Sequence, residues 1–321
     1  MQKMVKLKEL HEAAVEIGME KDPRSEEQIE NELEEREEQY EELEGVRKEK
    51  FDEDRLENPF DDSKVLYGGE EDVEKVAVGI DIETQDLVLL DRLNQDGEAI
   101  DGVIAHHPSG RAYAWLGRVM QLQIESMHKA GIPVSQAEGI VRESAGKVRQ
   151  GVHPKNHPRT PKAAELLDMP LINIHTVTDN FAYQYMKDYL GEEDPRTLDD
   201  LTDAILEIEE YQWELEHGGG PEIFAGSGDN RVGKFGVLGF TGGTDAGEEI
   251  IDKMMESGID TLVAMHATRD QVEKAEEKSI NVVSTGHMAS DSLGMNLVFD
   301  RLQEDYDFEV FELSGFKRVE R

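Results

Sequence analysis

Four strand-like runs in this chain end in histidine, and that recurrence restricts the fold more than any other feature. Residues 101–108 read DGVIAHHP. Val103, Ile104 and Ala105 form a short apolar run of the kind that a sheet buries. The run closes on His106, His107 and Pro108, and proline cannot donate to a sheet ladder. Met265-His266 closes a second run, DTLVAMH. His175 and Asp179 follow the run 170–174, and His287 and Asp291 follow the run 280–283. Five of the ten histidines stand at these ends. Ligands of open α/β sheets gather beyond the carboxyl ends of the strands. A chain with its histidines placed there is expected to be α/β and to hold something at those ends.

The intervening segments agree. Residues 76–80 read as a buried strand ending in Asp81, 85–94 as a helix and 102–105 as the next strand, which is the usual route to a parallel sheet. Helices are expected over 112–130 and 134–150. VHPKNHPRTP, at 152–161, is expected to be a loop, followed by a short helix at 162–168. A helix broken near 191–195 spans 178–209, and glycines 218–220 mark a boundary. Beyond them FGVLGF, DTLVAMH and INVVST alternate with helices before a last strand at 308–312. DGVIAHHP aligns with DTLVAMHA, so that Asp101 matches Asp260, Ala105 matches Ala264 and His107 matches His266. The expected fold class is therefore α/β, with two related α/β lobes around an interlobe cleft and an acidic helical N-terminal extension. The expected divisions are 1–72 for the extension and linker, 73–217 for the first lobe with a helical extension, and 218–321 for the second lobe. Within the extension, Met4, Leu7, Leu10, Ala14 and Ile17 recur at helical spacing over 3–20, residues 25–50 are an acidic helix, and 51–72 read as irregular.

Charge narrows the partners. The net charge is −38, and residues 1–75 alone hold 27 acids against 12 bases. A phosphate backbone or an anionic membrane surface attracts lysine and arginine, so neither nucleic acid nor membrane is an expected partner. An acidic surface of this breadth favours solubility and is compatible with a high-salt habitat. The chain has no cysteine, which excludes disulfides and thiolate metal sites. The first residues lack the apolar core of a signal peptide and no run is apolar enough to span a bilayer, so the expected location is the cytoplasm.

His106, His107, Asp179, His287 and Asp291 are the candidate metal ligands. His287 and Asp291 are four apart and share a helix face, and Gly286 lets the backbone turn into that helix. Three imidazoles and two carboxylates exceed one closed tetrahedral zinc site. They suit two divalent ions, of Zn, Mn, Fe or Co, with a carboxylate between them. Asp81 is either an acceptor that orients His106 or His107 or a plain strand-end cap. His153 and His157 lie on a loop with Arg149, Lys155, Arg159 and Lys162, which is either a phosphate contact or a solvated patch. FTGGTDAG, at 240–247, reads as a tight turn in preference to an anion cradle. Trp115 and Trp213 read as packing residues.

The runs VAVGID…VIAHHP, NIHTVTDN and VVSTGHMASDSLGMN resemble the NIF-three-like dinuclear-metal family, whose members also carry the label GTP cyclohydrolase I type 2 homologues. The resemblance covers roughly residues 72–315, with its three motifs in the family's order. It implies that the His-His pair at 106 and 107, Asp179 of the second motif and His287 of the third are ligands, with His175 beside the site. The third motif usually ends in Glu where this chain has Asp291, one methylene shorter, which bears on bridging geometry and metal preference. The chain adds about 70 acidic N-terminal residues and lacks a large insertion between lobes. The resemblance further implies a two-lobed subunit, metals in the interlobe cleft, and a homo-oligomer in the form of a toroidal hexamer. The expected function is a dinuclear metal-dependent hydrolase. Metal-bound hydroxide would attack a nucleotide-like or phosphorylated small molecule, with His266 or His175 shuttling a proton. The alternative is a non-catalytic metal-binding scaffold, metal chaperone or regulatory protein. The cyclohydrolase label itself rests on the resemblance alone.

Overall fold

A computed structural model describes residues 5–321. Met4 of the N-terminal apolar stripe lies outside the described residues. The helix read over 3–20 begins later, at α1 (Leu7–Glu20), because residues 5–6 pair with 72–73 in a small antiparallel ribbon. The acidic helix α2 (Glu26–Glu41) is capped by Ser25, whose hydroxyl accepts from the Gln28 amide. The stretch read as irregular contains a strand, β1 (Lys64–Tyr67). Then follow β2 (Lys75–Gly79), α3 (Thr84–Gln95) and β3 (Gly102–Ala105). The helix expected over 112–130 is broken into short turns, of which α4 (Gln123–Ala130) is the last. The helix α5 (Val134–Val152) and the helix α6 (Arg159–Leu167) leave a loop of only residues 153–158 between them.

The remainder includes β4 (Leu171–Asn173), α7 (Thr176–Glu193), β5 (Glu222–Ala225) and β6 (Phe235–Val237), then α8 (Glu249–Glu256) and β7 (Thr261–Ala264), with two short helices at Leu198–Leu206 and Glu209–Glu216 between α7 and β5. The chain ends with α9 (Arg269–Lys278), β8 (Asn281–Ser284), α10 (His287–Asp305) and β9 (Glu309–Glu312).

Besides the small ribbon, two larger sheets result, in the orders β9-β2-β3-β4-β1 and β5-β8-β7-β6. Each contains three successive parallel strands, β2-β3-β4 or β6-β7-β8, with an antiparallel strand beside the third. The likeness extends to side chains. Asp101 accepts from the Lys75 amide, and Asp260 accepts from the Lys234 amide at the same point of the second sheet. The last strand does not extend the second sheet. It returns to the first and pairs in parallel with β2.

Strand alternation sorts the core into layers. Val76, Val78, Ile104 and Ile172 face α1, α7 and α10, while Ala77, Val103, Ala105 and Leu171 face α3 and α6. In the second sheet Val237, Val263 and Val283 face α7 and α10, and Leu262, Ala264 and Val282 face α4, α5 and α8. The helices α7 and α10 thus lie between the sheets, which is why both bury residues all round instead of one stripe. Leu7, Leu10, Ala14 and Val15 of α1 join that central layer, so α1 is part of the core and not an appendage. Among the described residues, no helix is long and apolar enough to cross a membrane.

Candidate metal centre

The histidine-bearing strand ends of both sheets meet at one place. The β2–β3 ladder continues past the strands, with the His106 amide donating to the Gly79 carbonyl (3.0 Å) and the His107 amide to the Ile80 carbonyl (2.9 Å). His175 is the N-cap of α7, which places Thr178 and Asp179 in its first turn. Gly286, at φ 112°, turns β8 into α10. A Cβ there would fall 2.2 Å from Glu214 Oε2, the oxygen that accepts from the Ala289 amide and caps α10. His287 and Asp291 then occupy one face of α10, with His287 Nε2 3.5 Å from Asp291 Oδ2.

Four of the five imidazoles are held from behind. Thr178 gives its single hydroxyl proton to the carbonyl of Ile174 or His175, so at 2.9 Å it accepts from His106 Nδ1–H. His107 Nδ1 donates to Asp81 Oδ1 (2.7 Å) and His175 Nδ1 donates to Asp62 Oδ2 (2.8 Å). His266 Nδ1 lies 3.2 Å from Asp245 Oδ2. Protons on Nδ1 leave the lone pairs on Nε2. Those Nε2 atoms converge: His106 Nε2 is 3.5 Å from Asp179 Oδ1 and 3.4 Å from Asp291 Oδ1, and His107 Nε2 is 3.4 Å from Asp291 Oδ2.

Three groupings could each hold a metal ion: His106, His107 and His175; His107, His287 and Asp291; and His106, Asp179 and Asp291. All five expected ligands are therefore together. His175, expected beside the site, stands among the groups able to ligate. His266 joins no such grouping among the described residues. It lies at the mouth with its ring 4.7 Å from that of His287. Asp62, Thr178 and Asp245 were not among the expected site residues. Asp62 comes from the stretch read as linker, and only the fold reveals that it backs His175.

The electrostatics are those of a place built around positive charge. Burial alone would raise the Asp291 carboxyl, but His106, His287 and His107 hold it well below the ordinary carboxylate value. Burial pushes Asp179 well above that value, with His175 working against it. Burial also pushes His106 down to about 4 against the pull of Asp291. It works to lower His107 too, yet the carboxylates of Asp291 and Asp81 beside it outweigh burial and raise that ring to about 10. His106 Nε2 and both Asp291 carboxylate oxygens are buried without a hydrogen-bond partner. An unsatisfied buried polar atom costs about 1–3 kcal/mol, and one cation on each side of Asp291 would satisfy all three atoms. The residues present fit divalent metal.

In front of them opens a cleft of about 660 Å³ lined by Asp81, His107, His175, His266 and His287 and also by Lys155, Asn156, His157 and Arg159. The glycine turn at 240–247 contributes Gly243 and Thr244 to the lining. The Gln123 side-chain amide donates to the Gly242 carbonyl at 2.9 Å, which makes the segment a tethered turn, in accord with its sequence.

An α/β protein with a His/Asp cleft able to take metal is the class these features define. Comparison with known proteins narrows it. The family model for Duf34/NIF3 (NGG1p interacting factor 3) matches residues 164–317. The crystal structure of a NIF3 superfamily protein from Sphaerobacter thermophilus is similar at 29% identity with a TM-score of 0.71, covering 79% of this chain and 91% of that one. Reduced HcgD from Methanocaldococcus jannaschii matches at 14% identity and TM-score 0.46, over 78% of this chain and 87% of that one. TTHA1606 from Thermus thermophilus matches at 12% identity and TM-score 0.45, over 79% and 90%. No curated protein matches. The family match over residues 164–317 and the Sphaerobacter structure together support a NIF3-like assignment for this chain.

Proposed function

We propose that this protein is a hydrolase dependent on two divalent metal ions and acting on a phosphorylated or nucleotide-like small molecule. The observation that carries the reading is Asp291. Its two oxygens face different histidine sets, Oδ1 toward His106 and Oδ2 toward His107 and His287, the disposition a bridging carboxylate needs. Bound divalent ions supply Lewis acidity and lower the pKa of a coordinated water.

The chain's own residues do the rest. Asp62, Asp81 and Thr178 hold three imidazoles through Nδ1, with Nε2 aimed inward. Lys155 and Arg159, which also line the cleft, attract and orient an anionic substrate group. His266 is raised above its ordinary pKa by its hydrogen bond to Asp245, against burial. That favours the doubly protonated ring and gives Nε2 a proton to offer the leaving group as the bond to the substrate's electrophilic centre breaks.

A screen of phosphoesters, nucleotides and cyclic amides, with Mn or Zn restored, tests this reading. Turnover with at least one class, lost in Asp291→Ala, is expected; no turnover with any class contradicts it. The depth of His106 and Asp291, each 1% exposed, favours a second reading in which the metals are held and not used. Exchange of water at the bound metal would speak against that reading.

A further inference from the structure

A second concave region, of about 1200 Å³, opens between α2 and α5 on the far side of the 153–158 loop. Its floor is unusual in charge. Asp61 is fully buried and receives Arg55 Nε at 2.7 Å, with Arg36 at 3.7 Å and Arg118 at 3.6 Å from its other oxygen. Three guanidiniums therefore share one carboxylate. Arg36 also pairs with Glu32 and donates to the carbonyls of Asn58 and Pro59. Arg118 stacks 4.4 Å from the Trp115 ring, and Arg55 and Arg111 lie 5.4 Å from it.

Above this floor, Arg142 and Arg149 stand seven residues apart on α5, on one face of the helix, with the small residues Ala145 and Gly146 between them in the same lining. Neither makes an ion pair among the described residues. The acids lining the groove are Glu32, Glu35 and Asp61, fewer than its arginines. In a chain of net charge −38, most cations find an acid, and an accumulation of guanidiniums around so little negative charge calls for an external anion. Guanidinium forks on several sides suit an oxyanion with several acceptor oxygens.

We propose that this groove is an anion-binding site, separate from the histidine cleft, in which Arg118, Arg142 and Arg149 hold a multivalent oxyanion such as the phosphates of a small phosphorylated molecule. The overall negative charge disfavours a nucleic-acid occupant. His157 lines both the groove and the histidine cleft, so an anion bound here sits against the back of the loop that carries Lys155 and leads to Arg159.

The chain has two tryptophans, so Trp213→Phe leaves Trp115 as the sole reporter. Metal-stripped, dialysed protein carrying that change is titrated with inorganic pyrophosphate at low salt, following tryptophan fluorescence. A saturable change is expected. Arg142→Gln with Arg149→Gln, both at exposed positions, is expected to weaken binding about tenfold or more, since hydrogen bonds to charged groups are the strong ones. Arg118→Gln is expected to weaken it further, and His107→Ala to leave it unchanged. Absence of a saturable change, equal affinity in the Arg142/Arg149 variant, or loss of the signal in His107→Ala would each overturn the proposal.

Discussion

Asp62 shows how much a single distant carboxylate does here. It comes from the stretch before β1, is fully buried, and accepts from both His175 Nδ1 and Thr176 Oγ1. Outer partners of this kind fix the tautomer and orientation of a ligating ring. Asp62→Asn is expected to weaken metal binding about 10–100-fold, measured by competition with a chromophoric chelator, while far-ultraviolet circular dichroism stays unchanged. His11 makes a different case. It is buried in α1 with its Nε2 unpartnered, and burial lowers its pKa below the ordinary 6.5. The folded state therefore binds fewer protons at this ring than the unfolded state does. Its contribution is whole above pH 6.5 and is lost as pH falls toward the depressed folded value. Urea unfolding at about pH 7.5 and about pH 5.5, on either side of the ordinary histidine value, is expected to show a larger loss of stability in the wild type than in His11→Gln. Equal losses would mean that His11 does not remain neutral.

At the scale of elements, the metal centre depends on how closely α7 and α10 approach. Gly294 is three residues beyond Asp291, and a Cβ on it would lie 2.3 Å from the Thr178 carbonyl oxygen, on the turn that also carries Asp179. Gly294→Ala must push the two helices apart and with them the carboxylates at 179 and 291. Overpacking of this kind costs about 1–3 kcal/mol, which denaturant unfolding would read. Metal affinity is expected to fall in parallel, although residue 294 is not itself a ligand. The elements are legible in the sequence to uneven degrees. The apolar runs of β3, β4, β7 and β8 and the histidines at their ends stand out because a buried parallel strand needs a continuous apolar run and a site needs its donors at the end. The strand β1 does not, since Lys64–Tyr67 carries no clear alternation and owes its place to pairing with β4. The acceptors behind the histidines are hidden for a related reason. Asp62 and Asp245 lie 113 and 21 residues from their partners, His175 and His266, and nothing local distinguishes them from the many other acids.

For the whole molecule, the arrangement of strands matters more than the two-part reading of the chain suggests. The return of β9 to the first sheet and the placement of α7 and α10 between both sheets bind the strand ends into one cleft. That arrangement gives six side chains, from the end of β3 and the first turns of α7 and α10, a common focus. The net charge of −38 adds a field that favours cations over the surface as a whole, but at this focus buried, unpartnered nitrogen and oxygen atoms face one another. Elemental analysis of metal per chain, for the wild type beside His107→Ala and Asp291→Ala, is therefore the most direct measurement. Close to two divalent ions in the wild type, with both variants depleted, is the expected result. No bound metal in the wild type after incubation with Mn or Zn would contradict the assignment and leave the histidine cluster without its chemistry.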